Sequence, residues 1–276
     1  MAGPHTWTNG AGTGVWGTAG NWSSAAVPAS NEVVIFNGTS TTDCTDPTGQ
    51  GAIDLNLLYI DAAYTGSIGS SGSPLTISAD KVEMNGTGTL WYTDGNGTTD
   101  LFEVNNGTVT VAGATTTRLV VNKGIVEVTG TVTTLDTNSI GSRTTDSSVT
   151  VSSAATVGTI NANGGVTQIS TANAVAALNI GCGAVVFADN SSTITAETQW
   201  GGEVEHGPSG AQIVTTLTVF GGVNRLIPTG TLTVTASSAY TPARVTVGER
   251  VTLTANMAQY GDPSIKGPTG KAVGYS

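Results

Sequence analysis

A short module recurs along most of this chain: an apolar-led tetrad, a Gly-containing turn, a second tetrad, another turn and a third short segment. FEVN at 102–105 precedes TVTV at 108–111, and LVVN at 119–122 precedes IVEV at 125–128. INAN at 160–163 precedes VTQI at 166–169, LNIG at 178–181 precedes AVVF at 184–187, and LTVF at 217–220 precedes VNRL at 223–226. The lead residues Phe102, Leu119, Leu135, Ile160, Leu178, Thr198 and Leu217 are separated by steps of 17, 16, 25, 18, 20 and 19 residues. Repeats of this length, each too short to bury its own apolar face, are the mark of a solenoid.

The residue types agree. The chain has 48 Thr and 29 Val among 276 residues, both β-branched and suited to pleated, half-buried surfaces. The expected fold is an all-β, right-handed parallel β-helix (β-solenoid) with three short strands per triangular coil and almost no helix. Residues 1–50 form a Trp- and Gly-rich N-terminal cap, 51–242 the solenoid, and 243–276 a last strand pair and a Gly/Pro-rich basic tail. The long step after Leu135 reads as a turn expanded at residues 140–146. An antiparallel sandwich or jelly roll is the alternative, since it also yields many short strands with Gly turns.

Stacking of equivalent positions separates the two. Asn105, Asn122, Asn138 and Asn163 all close a first tetrad, so in a solenoid their amides hydrogen-bond in a ladder. Gly181, Gly201 and Phe220 are read at this place in the next coils, which ends the ladder. Trp7, Trp16 and Trp22, three of five tryptophans, supply apolar bulk to close the first coil, because open solenoid ends invite aggregation.

The opening pattern Trp7, Gly14-Val15-Trp16, Asn21-Trp22, Val27-Pro28 and Val33 to Phe36, followed by Gly/Thr/Val coils, resembles phage-borne and bacterial autotransporter-type parallel β-helix surface proteins. The resemblance implies a trimeric virion or cell-surface component such as a decoration protein, head fibre or tail spike. The start MAGPHTW has neither the basic nor the apolar region of a secretory signal, and no autotransporter translocator barrel is recognisable, which favours the virion version.

Only 10% of residues are charged and the net charge is −10. No Lys or Arg cluster suits nucleic acid, and no stretch of about 20 apolar residues suits a bilayer. No Lys or Arg precedes Lys81, whereas Arg244, Arg250, Lys266 and Lys271 lie near the end. These four are the candidate partner contacts. Cys44 and Cys182 are expected to be free thiols.

Catalytic constellations are sparse. Nucleophilic triads need histidine, and the only two are His5 and His206. Glu203 and Glu205 share a strand face with His206 on the opposite one, a weak resemblance to the carboxylate pair of glycoside hydrolysis. No cofactor is expected except calcium, for which Asp94, Asn96, Thr98 and Asp100 present oxygens at alternating positions. The expected function is therefore a non-enzymatic virion structural protein, a capsid decoration or head-fibre protein. It would sit on the virion surface and contact itself as a homotrimer and the major capsid protein. The alternatives are a glycan-binding spike or adhesin, on a virion or a bacterial surface, and a polysaccharide lyase or hydrolase.

Overall fold

The structure, a computed structural model, describes residues 4–45, 53–95, 97–113, 115–138, 147–188 and 192–267. The chain divides into two compact units, residues 1–133 and 134–276. Each is a parallel β-solenoid built from two sheets, and among the described residues the pairings between its strands are parallel. The antiparallel sandwich is therefore excluded. Among the described residues, helix is limited to one 3-10 turn, Ala19–Asn21.

In the first unit, Val33–Phe36, Asp54–Ile60, Ser78–Met84, Thr99–Val104 and Thr115–Val121 pair in order along one sheet. Thr89–Asp94, Thr108–Gly113 and Gly124–Val128 form the other. In the second unit, Thr156–Ala162, Val175–Ile180, Thr193–Gln199, Ala211–Val219 and Thr231–Tyr240 make the first sheet. Ser147–Val151, Val166–Ile169, Ala184–Phe187, Glu203–His206, Val223–Leu226, Arg244–Val247 and Ser264–Lys266 make the second.

The coil differs from three separate strands. The segment read as the third strand of one coil runs without a break into the first tetrad of the next. Thr193–Gln199 illustrates this: Ile194 is buried, Thr195 and Ala196 both face outward, then Glu197 and Gln199 are buried. Two successive outward residues break the two-residue alternation of a strand and turn the chain through a corner. The pairing skips that point, because Val175 pairs with Ile194 and Ala177 with Ala196 while Ala176 is unmatched. The same skip occurs between Leu55↔Ala79 and Leu57↔Lys81. Inward residues spaced by three, such as Leu55 and Leu58 or Val175 and Leu178, are its sequence signature.

Inside each unit the inward positions stack into columns. Leu58, Val82 and Phe102 are all buried in the first unit, and so are Ile160 and Leu178 in the second. Each such side chain contributes roughly 1.5–3 kcal/mol. Gly107 shows what the turns demand: its φ is +79°, and an added Cβ would lie 2.6 Å from the carbonyl oxygen of Gly86 one coil away. Only glycine accepts both conditions without strain.

The non-repeating ends enter the same ladders. His5–Thr6 pairs with Val33–Phe36, and Ser264–Lys266 pairs with Arg244–Val247, so the expected boundary at 243 marks no break in pairing. Trp7, Trp16 and Trp22 are buried. Trp22 meets Trp7 and Trp16 edge-to-face at 5.1 and 4.8 Å, and all three rings lie against Phe36. Edge-to-face packing suits the ring quadrupoles, and it leaves no open face at these three rings. The expanded turn at 140–146 lies outside the described residues.

Candidate functional site

The column at the end of the first tetrad is the most informative surface feature. In the first unit Asn105 Nδ2 donates to Asn85 Oδ1 at 2.9 Å and Asn122 Nδ2 to Asn105 Oδ1 at 2.8 Å. In the second, Asn163 Nδ2 reaches Asn138 Oδ1 at 3.4 Å. Asn85 is a rung that the repeat alignment missed, because its coil is less regular. A parallel run of amides sits one column away, Asn179 to Asn161 at 2.9 Å and Asn161 to Asp136 at 2.6 Å.

Beyond Asn163 the register corrects the sequence alignment. Ile180 pairs with Gln199 and Gln199 with Val219, so the residue above Gly181 is Trp200, not Gly201. The column continues through Phe220, Tyr240 and Tyr260, a stack with centroids 4.2, 4.7 and 4.5 Å apart and planes within 9°, 25° and 11°. Trp200 is 62% exposed and Tyr260 52%. Aromatics at steps of 20 residues were the available signal. They were missed because the lead residue of that coil was read as Thr198.

The true lead is Glu197, which pairs with Leu178 on one side and Leu217 on the other. A carboxylate thus occupies a core position, and the interior answers it. His206 Nε2 lies 3.0 Å from Glu197 Oε2, and both side chains are fully buried. His206 Nδ1 is 3.0 Å from Gln212 Oε1, and Gln212 Nε2 donates to Ser192 Oγ at 3.4 Å. Asn224 Nδ2 donates to Glu197 Oε1 and to Gln199 Oε1. Both ring nitrogens of His206 face oxygen atoms, an arrangement that favours the doubly protonated ring. Burial lowers its pKa, but the Glu197 charge and the hydrogen bonds from Glu197 and Gln212 outweigh that, and the net direction is upward. Phe187 stacks on the ring at 4.5 Å. The network is sealed from solvent and acts on stability.

Glu203 and Glu205 face outward while His206 points in, so the carboxylate pair and the histidine do not converge. Glu203 lies 3.6 Å from Arg225.

Of the basic residues, Arg244 and Lys266 meet around a groove of about 430 Å³ on the outward face of the second sheet, joined there by Arg225. Val223 pairs with Arg244 and Thr246 with Lys266, which staggers the three cations over successive coils. Arg225 was not singled out in the sequence because it sits inside a regular tetrad. Arg250 lies elsewhere, with Nη1 donating to Thr229 O at 2.6 Å. Lys271 is outside the described residues.

The calcium candidates do not converge either. Asp94 is buried and accepts hydrogen bonds from Tyr92, Thr99 and Thr116 hydroxyls. Burial raises its pKa, against those hydroxyls. Asp100 and Thr98 are exposed, Asp100 at the outward corner of its strand. Asn96 lies outside the described residues. Strand alternation therefore sends Asp94 inward and Asp100 outward, and among the described residues no three His, Cys, Asp or Glu side chains gather as a metal site. No helix among them is long and apolar enough to cross a membrane.

The chain matches no protein-family model, no curated protein and no solved structure at a significant level, so fold and site geometry carry the functional reading.

Proposed function

We propose that this protein is a non-enzymatic structural component of a virion surface, a decoration or fibre protein, that seats on an acidic surface of the shell protein. The observation that carries this reading is the groove between Arg225, Arg244 and Lys266. In a chain of net charge −10, Arg244 and Lys266 on one sheet face, beside an Arg225 that lies 3.6 Å from Glu203, form a localised complement to an acidic partner. Such complementarity steers and orients association. The remaining polar exterior of Thr, Ser and Asn suits a surface exposed to the medium, and the coils hold the cations at fixed spacing.

The test is co-sedimentation with particles produced by the host that carries the gene, with immunogold labelling of those particles. Wild-type chain should sediment with the particles, and rising salt should release it. The Arg244→Glu/Lys266→Glu variant should stay in the supernatant. A charge-reversed chain that still sediments, or particles that carry no label, would overturn the reading.

A further inference from the structure

The tetrad-end column of the second unit has one missing rung. Asn138 and Asn163 fill it below, Trp200, Phe220, Tyr240 and Tyr260 fill it above, and Gly181 stands between. Neighbouring rungs in parallel strands are about 4.8 Å apart, so the gap between Asn163 and Trp200 spans about 10 Å. That is two rung spacings, with room for one flat ring.

Glycine is not required at 181 by the backbone. Its φ is not in the left-handed range, and an added Cβ would come no closer than 3.7 Å to any backbone atom. Its one close neighbour is the movable Oδ1 of Asn163, at 2.6 Å. Contrast Gly107, where φ and a backbone carbonyl both exclude a side chain. No backbone atom therefore excludes a side chain at Gly181.

The walls define what fits. On one side, Phe220 covers one face of Trp200 at 4.2 Å. The other face looks over Gly181 and is bare, which is why Trp200 is 62% exposed. On the opposite side, Asn163 donates downward to Asn138, and its Oδ1 is the acceptor that the next amide rung would have served. Asn179, two residues before Gly181 on the same outward face, donates downward to Asn161, and the rung above it is filled by Thr198. The slot thus offers one rigid aromatic face and one carbonyl acceptor, Asn163 Oδ1, with no charged side chain among these residues. A pyranose matches this: its C–H face packs on an aromatic ring, and a peripheral hydroxyl donates to the amide oxygen. A purely apolar ring would leave that acceptor without a donor.

We propose that the Gly181 gap is a binding site for a single neutral saccharide ring, held between the face of Trp200 and the amide of Asn163. The site stands independently of the particle reading, since none of its residues lines the basic groove.

The test is saturation-transfer NMR and tryptophan fluorescence with methyl glycosides of glucose, galactose, mannose and N-acetylglucosamine. One ring half-enclosed by protein should bind with a dissociation constant on the order of 1 to 10 mM. Gly181→Asn, which restores the missing rung, and Trp200→Ala should each weaken binding about 2- to 12-fold, the scale of one lost stacking contact. Tyr260→Ala, at the other end of the stack, should leave binding unchanged. Should a substitution disturb folding, N-ethylmaleimide gives an independent measurement on the wild-type fold. Cys182, next to Gly181, is exposed and Cys44 is buried, so alkylation should occur at Cys182 and block the slot. Failure of all four glycosides to bind at about 50 mM, far above the expected constant, would overturn the proposal. So would binding that survives both Gly181→Asn and alkylation.

Discussion

Removing one partner of the buried Glu197–His206 pair should destabilise the second unit by about 3–5 kcal/mol, the usual cost of stranding a buried charge. The geometry justifies the upper part of that range. The two side chains are fully buried and 3.0 Å apart, and Asn224 and Gln212 are oriented to serve them. Glu197→Gln leaves the imidazolium without its counter-charge, and His206→Leu leaves Glu197 as a buried carboxylate. The double variant Glu197→Leu/His206→Leu behaves differently. It restores the residue that Leu217 and Leu226 hold in the adjacent coil. Asn224 keeps its bond to Gln199 but loses the one to Glu197, and Gln212 Oε1 loses its partner. Hydrocarbon replacement of a buried ion pair is often neutral or favourable by about 1–4 kcal/mol, against about 1–3 kcal/mol for an orphaned acceptor. The double variant should therefore fall within about 2 kcal/mol of wild type. Urea unfolding of wild type, Glu197→Leu, His206→Leu and the double variant, followed by circular dichroism, measures the coupling directly. Single variants that each cost under about 1 kcal/mol and simply add in the double would refute the charged-pair account. The pH dependence gives a second reading. The folded pKa of His206 is raised, so its stabilisation is complete below the ordinary histidine value near 6.5 and is lost as pH rises through the folded value. Wild type should weaken as pH rises above about 6.5, and His206→Leu should remove that slope.

Three further outcomes are expected. Asp94→Asn should be tolerated within about 1 kcal/mol at pH 7. The raised Asp94 pKa makes the ionised form a cost that grows as pH rises from the unfolded value near 3.9, so the variant should gain on wild type above that pH; a loss above 3 kcal/mol on the order of a broken buried pair would contradict this. Asn105→Ala removes two amide bonds and should lower stability by about 1–2 kcal/mol in thermal melts. Light scattering should find a trimer, and a mass equal to one 27.6 kDa chain at micromolar concentration would dismiss it.

The repeat spacing, the Gly turns and the Thr/Val content were enough to read a parallel solenoid, because a period near 20 residues leaves each module dependent on its neighbours. The stacked asparagines were legible for the same reason: in parallel coils, equal positions in sequence become neighbours in space. Trp200 was legible as a tryptophan on which a glycan could stack, but its place above Gly181 was not. Its meaning depends on register, and register turned on whether a glutamate could occupy a core position. Thr198 was the plausible lead by hydrophobicity, while Glu197 is the actual one because His206 and Asn224, 9 and 27 residues away, complete its hydrogen bonds. No local pattern carries that information.

By itself, the sequence determined the coil, its period and the chemistry of its outward columns, since these follow from local alternation and turn residues. Only the tertiary structure decided which coils align. That alignment set the corner that joins two expected strands into one and gathered Arg225 with Arg244 and Lys266. It also left Gly181 as an empty rung beneath a bare tryptophan. Each of these rests on pairing between residues one coil apart, where hydrogen bonds and burial, not neighbours in the chain, fix the register.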